Sequence, residues 1–507
     1  MAKFYLTTAI DYSNGDPHLG HALEKVGADV IARYRRLRGD DVHFLMGMDE
    51  NSQSVIQMSE RHGVTPQAWV DGMAERFARF WQRLDCSNDD WIRTTEARHV
   101  RAVEELLRRI QERSPADVYL ADYEGLYCTG CEEFKTESQV TDGRCAEHPT
   151  LALVPTREQN HFFRLSAYGD RLLGMINSGE LSVEPAIRRN EMLRLLESGL
   201  QDISISRSRL PWGIPFPESS QHTIYVWFDA VINYLSATGF PDEGYQRLWP
   251  ADLHIIGKGI SRFHCVLWPA MCLAAGIAPP RAVWAHGYVQ WLGAKMSKTA
   301  GTAVNLDDAI NRHGSDALRY FLMREVGFES DGDFTWDRFD ARYGSDLADG
   351  IGNLTARSLA MIERYRGGLV PAGPDTVLDR TAREELIPAY VSALDGYDLK
   401  GALEAAWGLV TAADLYITRS APWGLAKARA DQELDTVLAA LHRVLTRLAV
   451  LVSPYLPDRS AKIWTALGYS TPIDREAWAL LQNASGTGLT VARPDILFPK
   501  PPTQTVT

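Results

Sequence analysis

The chain has 507 residues, too many for one hydrophobic core, and roughly two to four domains are expected. Hydrophobic residues make up 45 % of it, ordinary for a soluble globular protein, and no apolar run approaches the ~18 residues of a membrane span. Lys and Arg number 53 against 65 Asp and Glu, a formal charge of −12, which argues against a broadly basic nucleic-acid surface and leaves only local clusters. Those clusters, Arg33-Tyr34-Arg35-Arg36-Leu37-Arg38 and the arginines from Arg98 to Arg113, read first as solvated helix faces. The N-terminus carries no basic-then-apolar leader, and a cytoplasmic protein is expected.

In chain order, Lys3-Phe4-Tyr5-Leu6-Thr7-Thr8-Ala9-Ile10 reads as a buried strand, rich in aromatic and β-branched residues, and the segment from Asp11 to Pro17 as a turn. Apolar positions Leu19, Ala22, Leu23, Val26, Ala28, Val30 and Ile31 then predict a helix that ends at Gly39. His18-Leu19-Gly20-His21 therefore opens a helix directly after the first strand of an α/β unit. A helix start offers unpaired N–H groups and partial positive charge to a polyphosphate. Gly20 has no Cβ to hold a nucleoside off the backbone, and His18 and His21 share one face of the first turn. The tetrad in isolation is equally a helix start with two solvated histidines; its place between strand and helix raises its weight. A second strand over residues 41–48 runs into Asp49-Glu50, and the C-terminal ends of parallel strands are where α/β sheets bind ligands.

From about residue 116 to 223 the pattern is irregular and reads as an inserted domain. It contains Cys128-Thr129-Gly130-Cys131 and Cys145-Ala146-Glu147-His148, two short ligand pairs joined by a longer loop. Cys128, Cys131, Cys145 and His148 can close a tetrahedron around one Zn²⁺; with all four positions taken by protein, the ion would be structural. Cys86, Cys265 and Cys272 are scattered and read as buried thiols.

Strand–helix alternation resumes at Ile224-Tyr225-Val226-Trp227 and at Leu253-His254-Ile255-Ile256-Gly257, with a helix over 262–275 ending at Gly276. Two short strands flank Leu292-Gly293-Ala294, immediately before Lys295-Met296-Ser297-Lys298-Thr299. That places the two lysines on a mobile loop, suited to clamping phosphate. Beyond about residue 344 strand signals nearly vanish, and amphipathic stretches such as 381–393, 401–419 and 434–451 predict a helical bundle. The tail from Phe498 to Thr507 is expected to be flexible.

The HxGH tetrad and the Lys-Met-Ser-Lys-Thr loop resemble the ATP-handling motifs of class I aminoacyl-tRNA synthetases. Over nearly the whole chain, collinear blocks resemble the methionyl-tRNA synthetase family in its compact bacterial form with one zinc knuckle. They are Thr8-Ala9-Ile10-Asp11-Tyr12, Trp91-Ile92-Arg93-Thr94-Thr95, Tyr123-Glu124-Gly125-Leu126-Tyr127-Cys128, Asp202-Ile203-Ser204-Ile205-Ser206-Arg207, Tyr225-Val226-Trp227-Phe228-Asp229-Ala230 and Asp316-Ala317-Leu318-Arg319-Tyr320.

The resemblance implies an α/β fold with three parts: a Rossmann-like catalytic domain with a parallel sheet (1–115 and 224–343), an inserted zinc-knuckle connective domain (116–223) and a C-terminal α-helical anticodon-binding domain (344–507). It implies methionine activation by Mg²⁺-ATP and transfer to tRNA(Met), by a monomer that needs no membrane. His18, Gly20, His21, Lys295, Ser297 and Lys298 would handle ATP, with the two histidines and two lysines catalytic. Ile10, Tyr12, Asp49, Trp227, Ala230, Tyr234, Ile260 and His264 would hold L-methionine. Asn353, Arg357 and Trp423 would read the anticodon; one helical turn puts the first two on one face, and an exposed Trp can stack a base.

The chain leaves the family pattern at Glu50-Asn51-Ser52, where an acid-His-Gly run is usual, at Gly259, where an Asp near the ribose is usual, and at Thr299. These departures keep open a second reading, a synthetase-like paralogue that makes an aminoacyl adenylate for specialised metabolism.

Overall fold

A computed structural model describes residues 2–128, 133–135, 140–146, 152–208, 210–217, 219–295 and 304–500. Its organising element is a seven-stranded sheet built from β1 (Lys3–Thr8), β2 (Asp11–Tyr12), β3 (Asp41–Asp49), β4 (Asp90–Arg93), β5 (Ser182–Glu184), β6 (Leu253–Gly257) and β7 (Ala282–His286). The order is β5-β7-β6-β1-β3-β2, with β4 also on β3, and every pairing is parallel. A parallel sheet must be covered on both faces, and period two sorts the side chains accordingly. Phe4, Leu6, Phe44, Met46, Leu253 and Ile255 enter one core; Tyr5, Leu45 and Ile256 enter the other.

Helix α1 (Leu19–Leu37) carries the chain from β1 to β3 and lies on the first of these faces. That core runs without a break from α1 into the C-terminal helices, where Tyr390, Leu409 and Leu448 belong to the same cluster. One guanidinium ties these parts together. Arg319, fully buried, gives Nη2 to Asp29 of α1 at 2.6 Å and to the Pro454 carbonyl at 2.7 Å, Nη1 to the Leu84 carbonyl at 2.9 Å, and Nε to the Tyr455 carbonyl at 3.0 Å. The basic run at the end of α1 is paired at the edge of this core: half-buried Arg33 with Asp29, half-buried Arg36 with Asp89 and exposed Arg38 with Asp395.

Three expectations need correction. First, the segment 116–223 is not wholly separate. Val118–Cys128, Glu133–Lys135, Val154–Phe163 and Ile203–Ser204 form their own antiparallel sheet, but β5 joins the main sheet beside β7 because Val183 is buried in the second core. Secondly, Ile224-Tyr225-Val226-Trp227 is not a strand. Ile224 ends the antiparallel strand Ser219–Ile224, and Val226–Ala230 is helical, with Phe228 and Asp229 N–H groups both donating to the Tyr225 carbonyl. An apolar run this short has no readable period. Thirdly, the tail is anchored through residue 500: Leu497 and Phe498 are buried, Tyr343 Oη donates to the Pro499 carbonyl at 2.8 Å, and Lys500 pairs with Asp349. The helices Leu399–Ser420 and Asp431–Val452 match the expected bundle.

Removing one partner of a buried ion pair strands the other charge, at a cost of about 3–5 kcal/mol. Asp29→Ala is therefore expected to lower the unfolding free energy, measured by denaturant titration, by that order, and an unchanged value would show that Arg319 does not lock α1 to the bundle.

Candidate active site

The C-terminal ends of β1, β3, β6 and β7 open into one cleft, with Ala9, Ile10, Asp49, Gly257 and His286 on its walls. The chain moves from β1 to β3 on one side, while β6 and β7 lie on the other. This is the topological switch point at which doubly wound sheets leave a binding crevice.

The start of α1 lies in this cleft through His18, Gly20 and His21. His18 is the N-cap: its Nδ1 accepts from the Gly20 and His21 N–H groups at 3.1 and 3.4 Å, and His21 Nδ1 accepts from the His18 N–H at 3.3 Å. The rings stack with centroids 3.7 Å apart. Because both Nδ1 atoms accept, each neutral ring carries its hydrogen on Nε2, as a donor. Desolvation, reinforced by His18, Lys25 and His286, holds the His21 imidazole well below its ordinary pKa.

All eight residues assigned to methionine line the same cleft: Ile10, Tyr12, Asp49, Trp227, Ala230, Tyr234, Ile260 and His264. Trp227 stacks on Phe263 at 3.8 Å and meets Tyr12 edge-on at 5.9 Å. His264 Nδ1 faces the Ile260 carbonyl at 3.0 Å, so it carries the proton, and Nε2 accepts from the Tyr234 hydroxyl at 2.7 Å. Burial pushes His264 down to about 4, leaving it neutral at physiological pH. The result is an apolar, aromatic cavity with a neutral polar floor, suited to a thioether.

The sequence reading missed a charged cluster under the cleft. Lys25 Nζ, fully buried, lies 2.8 Å from Asp11, 2.7 Å from Glu24 and 2.6 Å from the Ala9 carbonyl, while Glu24 faces His286 at 3.1 Å. Burial raises Asp11 to about 6; burial alone would also raise Glu24, but Lys25 and His286 hold it below the usual range. The available signal was the Glu24-Lys25 pair on a helix whose neighbours Leu23 and Val26 are core.

The remaining assigned residues lie elsewhere. Lys295 ends the hairpin of Val289–Trp291 and Ala294–Lys295, which puts the lysine motif after a strand pair; Ser297 and Lys298 fall outside the described residues. Cys128 and Cys145 are buried, and Cys145 is the sole buried side chain in residues 140–146; Cys131 and His148 fall outside the described residues. Asn353 and Arg357 are exposed on the helix Asn353–Arg366, and Arg357 reaches Asp414 at 3.7 Å. Trp423 opens the helix Pro422–Ala428 and is 53 % exposed, so it is not core.

A family model described as tRNA synthetases class I (M) matches residues 4–150 and 150–359, and one described as the anticodon binding domain of methionyl tRNA ligase matches 372–505. The chain belongs to the methionyl-tRNA synthetases. Methionine–tRNA ligase of Streptomyces coelicolor is 38 % identical over 98 % of this chain and 96 % of its own. That of Caldanaerobacter subterraneus subsp. tengcongensis is 40 % identical over 98 % of this chain and 78 % of its own. Among solved structures, Mycobacterium tuberculosis methionyl-tRNA synthetase in complex with methionyl-adenylate superposes with a TM-score of 0.94 at 38 % identity, covering 98 % of this chain and all (100 %) of that one.

Two departures from the family pattern have structural roles here. Asn51, buried, donates Nδ2 to Asp229 at 2.8 Å and to the Thr94 carbonyl at 3.1 Å, tying the end of β3 to the Val226–Ala230 helix. Asp229 in turn meets His99 Nε2 at 2.5 Å. Ser52 caps the helix Gln53–His62 by accepting from the Val55 N–H.

His264 ties the site to a pH dependence. On unfolding it regains a pKa near 6.5, so below that pH the unfolded chain binds the extra proton and the native state loses stability until about pH 4. His264→Gln cannot titrate and is expected to lose about 2 kcal/mol less than the parent between pH 7 and pH 5. Denaturant midpoints at the two pH values check this, and equal losses would refute a neutral buried His264.

Proposed function

We infer that this chain is a methionine–tRNA ligase: it activates methionine with ATP and transfers the methionyl group to tRNA(Met). The observation that carries this is a single cleft holding both the HLGH helix start and the complete aromatic pocket. In the first step a methionine carboxylate oxygen attacks the α-phosphorus of Mg²⁺-ATP in line, forming the acyl–phosphate bond as the bond to pyrophosphate breaks. Asp49, at the end of β3, takes the substrate ammonium, and the rings of Tyr12, Trp227 and Tyr234 surround the thioether. The Nε2–H groups of His18 and His21 stabilise charge on the phosphate oxygens, and Lys295 and Lys298 hold the departing pyrophosphate; Ser297 and Gly20 complete the ATP contacts. Catalysis is then positioning and charge stabilisation more than proton transfer. In the second step the hydroxyl of the terminal adenosine of tRNA displaces AMP.

In this reading the catalytic unit is 1–115 with 224–343, the connective segment 116–223 lends it β5, and 344–507 binds the anticodon through Asn353, Arg357 and Trp423. A Cys₃His set suits Zn²⁺, and two buried thiols on a small insert fit such a site. Cys128, Cys131, Cys145 and His148 would hold the ion, which would supply folding stability to the insert. Exposure of Asn353, Arg357 and Trp423 favours tRNA charging over a paralogue without tRNA.

The test is methionine-dependent ATP–pyrophosphate exchange together with charging of tRNA(Met). Lys298→Ala is expected to lose most exchange with its fold intact, and near-normal exchange would sink the lysine assignment. Trp423→Ala is expected to keep exchange but charge tRNA about five- to 150-fold more slowly, as loss of one stacked base of ~1–3 kcal/mol implies. Equal charging by variant and parent would remove Trp423 from the anticodon site.

A further inference from the structure

Gly259 sits in the short turn Lys258–Ile260 directly after β6 and lines the cleft. A Cβ built on it would overlap the Tyr288 hydroxyl, while the ring carbon bearing that hydroxyl lies at 3.5 Å, ordinary contact. Residue 259 and the Tyr288 oxygen therefore compete for one volume, and in this chain the oxygen has it.

Tyr288 is held in place from two sides. Its backbone N–H donates to Asp331 at 2.8 Å, and the Lys258 ammonium lies 4.6 Å over its ring. Lys258 is itself paired with Asp331 at 2.8 Å. This corner thus presents a neutral hydroxyl to the cleft, with its cation already matched, which suits an alcohol better than a phosphate. Tyr288 is 39 % exposed, so a ligand can reach it. Gly257, two residues before Gly259, also lines the cleft, and a Cβ there would meet only the His286 ring at 3.8 Å, ordinary contact, so a flat group can approach this stretch of backbone.

We propose that Tyr288 is a nucleoside-contacting residue whose phenol hydroxyl hydrogen-bonds a ribose hydroxyl of ATP, in the space that residue 259 leaves by having no side chain. This rests on the reading that the cleft takes ATP. A phenol both donates and accepts, as does a ribose hydroxyl, so the pair needs no charge. The glycine and the tyrosine then form one unit: changing either alone disturbs the ribose corner.

The test is equilibrium binding of ATP, 2′-deoxy-ATP, 3′-deoxy-ATP and methionine to the full chain and to Tyr288→Phe. The variant is expected to bind ATP about three- to tenfold more weakly, one hydrogen bond's worth. One deoxy analogue should bind the parent with a similar loss and show no further loss in the variant, while methionine binding is unchanged. Equal ATP binding by the two proteins, or undiminished discrimination against both analogues in Tyr288→Phe, overturns the contact. Gly259→Asp should impair ATP binding in the parent and recover when combined with Tyr288→Phe; equal impairment in both backgrounds overturns the shared volume. Exchange by the parent is read alongside: its absence would count against the ligase reading, and the ATP-binding comparison would still decide the role of Tyr288.

Discussion

The structure depends on one buried guanidinium. Arg319 meets Asp29 of α1, the chain after the Pro66–Arg83 helix and the loop that follows the long bundle helix Asp431–Val452, all without solvent contact. A buried charge is costly unless every donor finds an acceptor, and here three carbonyls and a carboxylate supply them. The geometry is therefore demanding: α1 and the bundle must sit together for Arg319 to be satisfied. Because α1 begins with HLGH, the same constraint that joins the bundle to the sheet also sets where the two histidines point.

A second buried charge cluster sits one turn nearer the start of α1. Lys25 is caged by Asp11, Glu24 and the Ala9 carbonyl, and Glu24 reaches His286 at the end of β7. The cluster crosses the switch point of the sheet and joins the three segments whose ends form the cleft floor. In a low-dielectric setting such a network is rigid when satisfied. Helix α1 is thus held by charge at Lys25 and Asp29, one turn apart, and by apolar packing along its remaining length. The helix start, where the rings of His18 and His21 stack, is positioned by these anchors.

Much of the site was legible in the sequence because its chemistry is local. HLGH needs only a strand before it and a helix after it, and both carry clear periodicity. The pocket residues came from a family pattern, and Trp227, Tyr234 and His264 do converge although nothing in their spacing announces it. What stayed hidden was non-local. Lys25 lies among core residues on its helix, and its burial is explained by Asp11 and the Ala9 carbonyl, which come from the chain before the helix, together with adjacent Glu24. The helix Val226–Ala230 was misread as a strand because five buried residues show no period. Phe498 was misread as part of a flexible tail because a Pro-rich end hides one apolar anchor.

The sequence by itself determined the α/β alternation, the helical C-terminal half and the helix that opens at His18-Leu19-Gly20-His21 directly after the first strand. These follow from periodicity and side-chain chemistry, which act over a few residues. Only the tertiary structure decided that β5, from the connective segment, completes the main sheet, that Asn51 braces the pocket helix through Asp229, and that Gly259 and Tyr288 share one volume. Each of these joins segments far apart in the chain. Close packing and the pairing of buried polar groups settle such contacts, and neither leaves a mark in local sequence.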